Sequence, residues 1–86
     1  MTTDKEKYQL AHKYCYSNEE DIKNSKKCGC FFCIRIFSSE EINEWIPDSH
    51  GRTALCPYCG IDSVLSDSRI KFDTDFLKGM YNLWFE

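Results

Sequence analysis

Two short cysteine-rich stretches decide how this chain folds: residues 28–33 read Cys-Gly-Cys-Phe-Phe-Cys, and residues 56–60 read Cys-Pro-Tyr-Cys-Gly. Each contains two cysteines separated by two residues. Zinc in structural sites takes four ligands in a tetrahedron, with Zn–S bonds of about 2.3 Å, and a two-residue gap lets one tight turn present two sulfurs to one ion. The spacing therefore predicts a structural zinc site with four thiolate ligands: Cys30, Cys33, Cys56 and Cys59.

Cys28 leaves the first pair ambiguous, because it adds a third thiol two residues before Cys30. Cys28 is an alternative ligand in place of Cys30, although its gap to Cys33 is less usual. Otherwise it is a buried spectator, a hydrogen-bond donor to a ligand, or a reactive thiol. The second pair is better formed, since Pro57 fixes φ inside the turn and Gly60 can adopt a positive φ.

A domain as short as this chain is expected to need a bound metal or disulfide bonds for stability. Its 86 residues form one domain, and a domain of this size buries only about 60% of its unfolded surface, so its hydrophobic core alone is marginal. The N-terminus is polar with mixed charge, unlike a signal peptide, and no window approaches the ~20 apolar residues of a membrane span. We therefore expect a cytoplasmic protein. In a reducing compartment, paired cysteines bind metal more often than they form disulfides.

The formal net charge of −3 disfavours nonspecific nucleic-acid binding, which needs a positive surface. The charge does not exclude it, because four thiolates around zinc carry a formal charge of −2 that nearby cations would offset. Recognition of nucleic acid by a zinc ribbon is therefore the alternative function. Basic side chains would then line one face, and Phe31 or Tyr58 would stack on bases. The basic residues concerned are Lys23, Lys26, Lys27, Arg35 and Arg52.

Residues 1–24 are predicted to form an N-terminal helical segment. Within residues 4–16 the apolar and aromatic positions fall at helical spacing, with His12 and Cys15 on one face. A histidine and a cysteine so placed can ligate a metal, but such a pair more often packs against the protein interior. The full stripe is Tyr8, Ala11, His12 and Cys15.

Two capping-box patterns predict two further helices. Ser17 with Glu20, and Ser38 with Glu41, each place a serine three residues before a glutamate. The first helix is expected to run through Ile22. The second is expected over residues 38–46, because Pro47 disfavours helical geometry at the residue before it.

Residues 25–66 are predicted to form the zinc core of the domain. Strands are expected over residues 32–37 and 52–55, and a turn at residues 48–51, which includes His50, precedes the second strand. Residues 61–65 alternate only partly, which suits either a strand or the start of a helix. A strand favours a zinc ribbon and a helix favours a treble-clef finger.

Residues 73–86 are predicted to form a C-terminal helix, with Asp73 or Thr74 as its N-cap. The helix has a broad apolar face that packs on the zinc core or, alternatively, contacts a partner. The residues on this face are Phe76, Leu77, Met80, Leu83 and Trp84.

The residues argue against an enzyme. Four thiolates close the coordination sphere of zinc, so catalysis at the metal is not expected. A nucleophile built from Cys28 or Cys15 with a histidine has no local support. Metal-dependent nucleases with paired cysteines need further histidine or asparagine ligands downstream, and no histidine follows His50.

The two cysteine stretches, with residues 53–64 and the terminal aromatic residues, resemble a group of small bacterial and phage proteins that carry a zinc-finger-like cysteine pattern. The resemblance covers the chain from Ser25 onward. It implies a soluble, intracellular, metal-binding protein to which no activity is attached. Small acidic proteins of this kind are sometimes immunity or inhibitor proteins that block a partner by contact.

These observations together predict a single α+β zinc finger, of the zinc-ribbon or treble-clef type, with flanking helices. The expected function is that of a protein-binding module that acts as an inhibitor or immunity-type protein. Aromatic side chains dominate interface hot spots, so exposed aromatic residues would contact the partner. The expected contacts are Phe31, Phe32, Tyr58, Trp84 and Phe85.

Overall fold

The fold combines three α-helices with two antiparallel sheets in the part of the chain that the structure, a computed structural model, describes: residues 4–48 and 51–85. This confirms the α+β class. The helices are α1 (Asp4–His12), α2 (Glu19–Lys23) and α3 (Thr74–Trp84). The strands are β1 (Lys27–Cys30), β2 (Arg35–Ser38), β3 (Trp45–Asp48), β4 (Gly51–Ala54) and β5 (Val64–Ser66).

A three-stranded sheet in the order β2-β1-β5 lies at the centre, and β3 and β4 form a separate hairpin. Side chains alternate between the faces of a strand. In β1, Cys28 and Cys30 therefore point to one face and Gly29 faces the other. The missing side chain of Gly29 matters, because a Cβ there would lie 2.6 Å from the ring of Phe72 and 3.0 Å from Leu77.

Each face of the central sheet covers its own hydrophobic cluster, and adjacent residues of β5 divide between them. Val64 belongs to a cluster with cysteines of the two Cys-x-x-Cys turns, and Leu65 belongs to a cluster with residues of α1 and α3. The first cluster contains Ile22, Cys28, Cys30, Phe37, Ile42, Ala54, Cys56 and Val64. The second contains Ala11, Cys15, Phe31, Leu65, Phe76, Leu77 and Met80.

The terminal helices agree with the sequence predictions. α1 is followed by a 3-10 turn, Lys13–Cys15, and the predicted stripe buries Ala11 and Cys15. α3 begins after Asp73, whose Oδ1 accepts a hydrogen bond from the N–H of Phe76 at 2.8 Å. α1 and α3 pack against each other. No helix among the described residues has the length and apolarity to span a membrane.

The helix predicted over residues 38–46 is wrong. Its capping box does form: the N–H of Ser38 donates to Glu41 Oε2 at 2.8 Å. It opens only a 3-10 turn, Ser39–Glu41, after which Ile42 is extended. Trp45–Asp48 pairs with β4 instead, and Pro47 is tolerated because β3 has only one neighbouring strand.

Three smaller predictions are corrected or resolved. α2 begins after Asn18 rather than at Ser17, so the first capping box is absent. The strand predicted over residues 32–37 is a turn followed by β2. Residues 64–66 form a strand that pairs antiparallel with β1, so the first regular element after the second cysteine turn is a strand and not a helix.

Candidate metal centre

The two Cys-x-x-Cys turns have the same backbone form. In the first, the N–H of Ile34 donates to the carbonyl of Cys30 at 2.9 Å, and in the second the N–H of Gly60 donates to the carbonyl of Cys56 at 3.0 Å. Both residues have positive φ, 62° for Ile34 and 79° for Gly60. The second turn satisfies this requirement with glycine, and the first holds a β-branched side chain in a region that such residues rarely adopt.

Backbone N–H groups point at the sulfurs in both turns. The N–H of Phe32 donates to Cys30 Sγ, and that of Tyr58 donates to Cys56 Sγ, each at 3.4 Å. The second cysteine of each turn also accepts a backbone hydrogen bond, Cys33 from Arg35 and Cys59 from Ile61. These donors favour thiolates over thiols, since hydrogen bonds to a charged form stabilise it.

The four predicted ligands converge. Their Sγ atoms all lie within 4.8 Å of one another. Across the two turns, Cys30 Sγ lies 3.6 Å from Cys59 Sγ, and Cys33 Sγ lies 3.7 Å from Cys56 Sγ. A tetrahedron with metal–sulfur bonds of about 2.3 Å has edges of about 3.8 Å. The sulfurs therefore fit one tetrahedral metal ion, and none of the six cysteines, all in the described chain, forms a disulfide.

Burial and neighbouring hydrogen-bond donors shift the pKa values of three of these thiols. Burial, followed by the charge of Cys30, raises the pKa of Cys33 to about 11. Burial also raises the pKa of Cys59 above its ordinary value. Burial acts in the same direction on Cys56, but hydrogen bonds from Tyr58 and Cys59 outweigh it and lower the pKa. A divalent cation would remove this conflict, because coordinated thiols are deprotonated outright.

Cys28 does not join the group, so the alternative ligand set is wrong. Its sulfur lies 3.7 Å from Ser25 Oγ, and burial raises its pKa to about 11. Cys15 also lies outside the group, and burial raises its pKa to about 12. Both are therefore thiols in the protein interior. His12 stacks on Trp84 with ring centroids 4.0 Å apart, and His50 lies outside the described residues.

Two buried polar residues that the sequence analysis did not single out support the site. Ser63 is 2% exposed, and its Oγ lies 3.1 Å from Cys30 Sγ. Asn18 lies beneath the adjacent strands: its Nδ2 donates to the carbonyl of Val64 at 2.9 Å, and its Oδ1 accepts from the N–H of Ala54 at 3.1 Å. Its partners are 36 and 46 residues away in the chain, so local sequence carried no signal for this role.

The predicted partner contacts divide by burial. Phe31 is 1% exposed and packs in the second hydrophobic cluster, so its prediction as a surface contact is wrong. The other four aromatic residues are exposed. They are Phe32, Tyr58, Trp84 and Phe85.

The basic side chains of the predicted nucleic-acid face are largely engaged with neighbours. Glu19 accepts a hydrogen bond from Arg52 and lies 3.5 Å from the Nζ of Lys23. The Arg35 guanidinium lies 4.7 Å from the ring centroid of Tyr58. The two remaining cations are exposed; they are Lys26 and Lys27.

Comparisons of the chain with protein-family models, with curated proteins and with solved structures find no match.

Proposed function

We propose that the protein is a small protein-binding module whose fold is held by one structural zinc ion. The observation that carries the metal is the convergence of four sulfurs from two turns of the same form. Because a strand follows the second turn, we assign the arrangement to the zinc-ribbon type. A tetrahedral set of four sulfurs suits zinc or iron, and zinc is the usual ion of structural sites with this spacing.

The zinc is structural rather than catalytic in this proposal. Four thiolates fill a tetrahedral ion and leave no position for water or substrate. Bound zinc would supply a cross-link between β1 and the turn that follows β4. The chain's own backbone N–H groups and Ser63 would orient the sulfurs. Structural zinc contributes about 10–16 kcal/mol of apparent binding energy in small domains, which is comparable with their whole stability.

A protein partner is favoured over nucleic acid by the surface. Lys23 and Arg52 share Glu19, and the Arg69 Nε donates to Asp21 at 2.8 Å, so each of these three cations already contacts a carboxylate. The exposed rings of Phe32, Trp84 and Phe85 offer the kind of contact that dominates protein interfaces. A small acidic protein of this kind would act by contact, as inhibitor and immunity proteins do.

Elemental analysis of purified protein tests the metal. We expect about one zinc per chain, and we expect a chelator titration to reduce far-UV dichroism and the melting temperature together. Cys56→Ser should lose the ion, whereas Cys28→Ala, a matched control beside the site, should keep it. Equal metal content in both variants, or dichroism unchanged by complete chelation, would exclude a structural metal.

Affinity capture from the native host, read by mass spectrometry, tests the partner. The bait is compared with a Trp84→Ala/Phe85→Ala variant of equal metal content. We expect one protein to be retained by the unmodified bait and lost by the variant. Salt-sensitive binding of a labelled single-stranded DNA, with no protein retained, would favour the nucleic-acid alternative.

A further inference from the structure

A continuous surface of aromatic rings connects α1, the first cysteine turn and α3. Phe85 contacts Phe32 with centroids 5.0 Å apart and Tyr81 at 5.7 Å, and it also contacts the buried Phe31. Phe31 in turn lies beside His12, which stacks on Trp84. His12 also contacts Tyr16. We call the solvent-accessible part of this set the aromatic surface: the exposed Tyr16, Phe32, Trp84 and Phe85 and the half-buried Tyr81.

Two cavities lie on either side of Phe85. One, of about 350 Å³, is lined by Phe32 and Tyr81, which both contact the Phe85 ring, and by Lys78. The other, of about 220 Å³, is lined by Phe85 itself, Trp84 and Asp62, among others. Phe85 is therefore a ridge between two depressions, each large enough to receive an aromatic side chain.

The two cavities carry opposite charges. Lys78 lies at the first and Asp62 at the second, and both are exposed. Neither forms an ion pair with another residue of the described chain. The surface thus has a cation on one side of an aromatic ridge and an anion on the other.

We propose that the aromatic surface binds a second copy of this chain, in a symmetric dimer whose two-fold axis passes near Phe85. In such an interface residue i of one protomer meets residue j of its partner, and j meets i. Lys78 of each protomer then faces Asp62 of the other, and the two Phe85 rings meet beside the axis. This arrangement places opposite charges face to face at both symmetric contacts.

The size of the surface predicts a weak dimer. Phe32, Trp84 and Phe85 are 39–40% exposed and Tyr16 is 52% exposed. For side chains of about 150–250 Å² these fractions amount to an aromatic area on the order of 350 Å². A standard interface buries about 800 Å² on each partner, so the dimer is expected to be weak. A weak self-complex leaves the surface available to a tighter foreign partner, and in this sense the inference rests on the proposed binding function.

Sedimentation equilibrium of the zinc-loaded protein from about 10 µM to 1 mM measures the dimer. Lys78→Glu places two acids opposite each other at both symmetric contacts and should raise the dissociation constant about 10-fold. Lys26→Glu changes the net charge equally but precedes β1 and lines neither cavity, and it should leave the constant unchanged. A protein that stays monomeric at 1 mM, or equal effects of the two substitutions, would overturn the proposal.

Charge reversal gives the sharper test. Asp62→Lys alone should weaken association as Lys78→Glu does. An equimolar mixture of the two single variants places an acid opposite a base at both contacts, so heterodimers should form with nearly the wild-type constant. Both variants keep a negative net charge, so general attraction cannot produce this recovery. A mixture that stays as dissociated as its components would refute the proposed pairing.

The ridge is tested separately from the charges. Phe85→Ala should weaken the dimer at least 10-fold, and Ile46→Ala, an exposed apolar control on β3, should not. Zinc content is measured on each sample. A wild-type protein that stays monomeric at full zinc occupancy counts against the dimer alone, and a dimer that persists without zinc counts against the structural metal alone. Phe85→Ala that abolishes capture of a foreign protein while wild type stays monomeric assigns the surface to that protein and overturns the dimer.

Discussion

Gly60 and Ile34 occupy equivalent positions in the two cysteine turns, and only one of them is glycine. A left-handed backbone costs a residue with a side chain about 1–2 kcal/mol, and asparagine tolerates it better than alanine. Ile34 offsets this cost by packing against the second hydrophobic cluster. No heavy atom lies within 4 Å of a Cβ built on Gly60, so a side chain there would gain no such contact.

Gly60→Ala should therefore lower the free energy of unfolding by about 1 kcal/mol through backbone strain alone. Gly60→Asn is the control, because its side chain is larger but better suited to the left-handed region. Urea unfolding of the zinc-loaded protein measures both. If alanine is as stable as glycine, the positive φ of this turn is not required by the fold.

Ser63 would act on a bound metal through the sulfur of Cys30, which lies 3.1 Å from its Oγ. Groups that hydrogen-bond to a ligand typically change metal affinity 10–100-fold when they are removed. We expect Ser63→Ala to weaken zinc binding about 10-fold in competition with a chromophoric chelator, and to shift the charge-transfer bands of the cobalt-substituted protein. Ser68→Ala also loses hydrogen bonds, but not to sulfur, and should leave both readouts unchanged.

The spacing of the cysteines predicted their convergence because a two-residue gap is a local property of the chain. Exclusion of Cys28 and burial of Phe31 depend on which face of β1 meets which layer, and that is decided by segments far away in sequence. Asn18 was missed for the same reason. The Asn18 amide hydrogen-bonds to β4 and β5, which are distant from it in the sequence.

At the level of elements, a local helix signal gave a wrong prediction where strand pairing competed with it. The capping box at Ser38 forms, yet residues 45–48 gain more as a strand, because β4 supplies a complete set of antiparallel partners. The Arg52 guanidinium also lies 5.2 Å from the ring centroid of Trp45 across that hairpin. α3 was predicted well, since its cap and its apolar face point to the same structure.

Asn18 joins three elements with one amide. It bonds the 3-10 turn after α1 through the carbonyl of Tyr14 at 3.2 Å, β5 through Val64, and β4 through Ala54. Asn18→Ala leaves buried backbone groups without partners, each costing about 1–3 kcal/mol. We expect a loss of about 3 kcal/mol in urea unfolding, against no measurable change for the exposed control Asn43→Ala. A loss below 1 kcal/mol would show that water replaces the amide.

At the scale of the whole molecule, the central sheet couples the metal centre to the helices. Val64 and Leu65 are adjacent in β5 but belong to different clusters. In β1, the cysteines lie on one face of the sheet, and Gly29 on the other face lies close to Leu77 of α3. Loss of the ion on one face should therefore loosen both.

Acidification should release zinc and unfold the helices in one step. Without an ion the pKa of Cys33 is about 11, so zinc binds by displacing protons, and its apparent affinity falls as the pH falls. Zinc release, read with a chromophoric chelator, and helical dichroism should follow the same curve between pH 7 and pH 4. Helical signal that survives complete release would separate the two faces of the sheet.

Cys33 and Cys59 are only half-buried, whereas Cys30 and Cys56 are covered. An ion held among them would be approachable from one side while the polypeptide stays folded. A small chelator would then form a ternary complex before the metal departs. The speed of removal should accordingly grow with chelator concentration, instead of levelling off at the spontaneous opening rate of the protein.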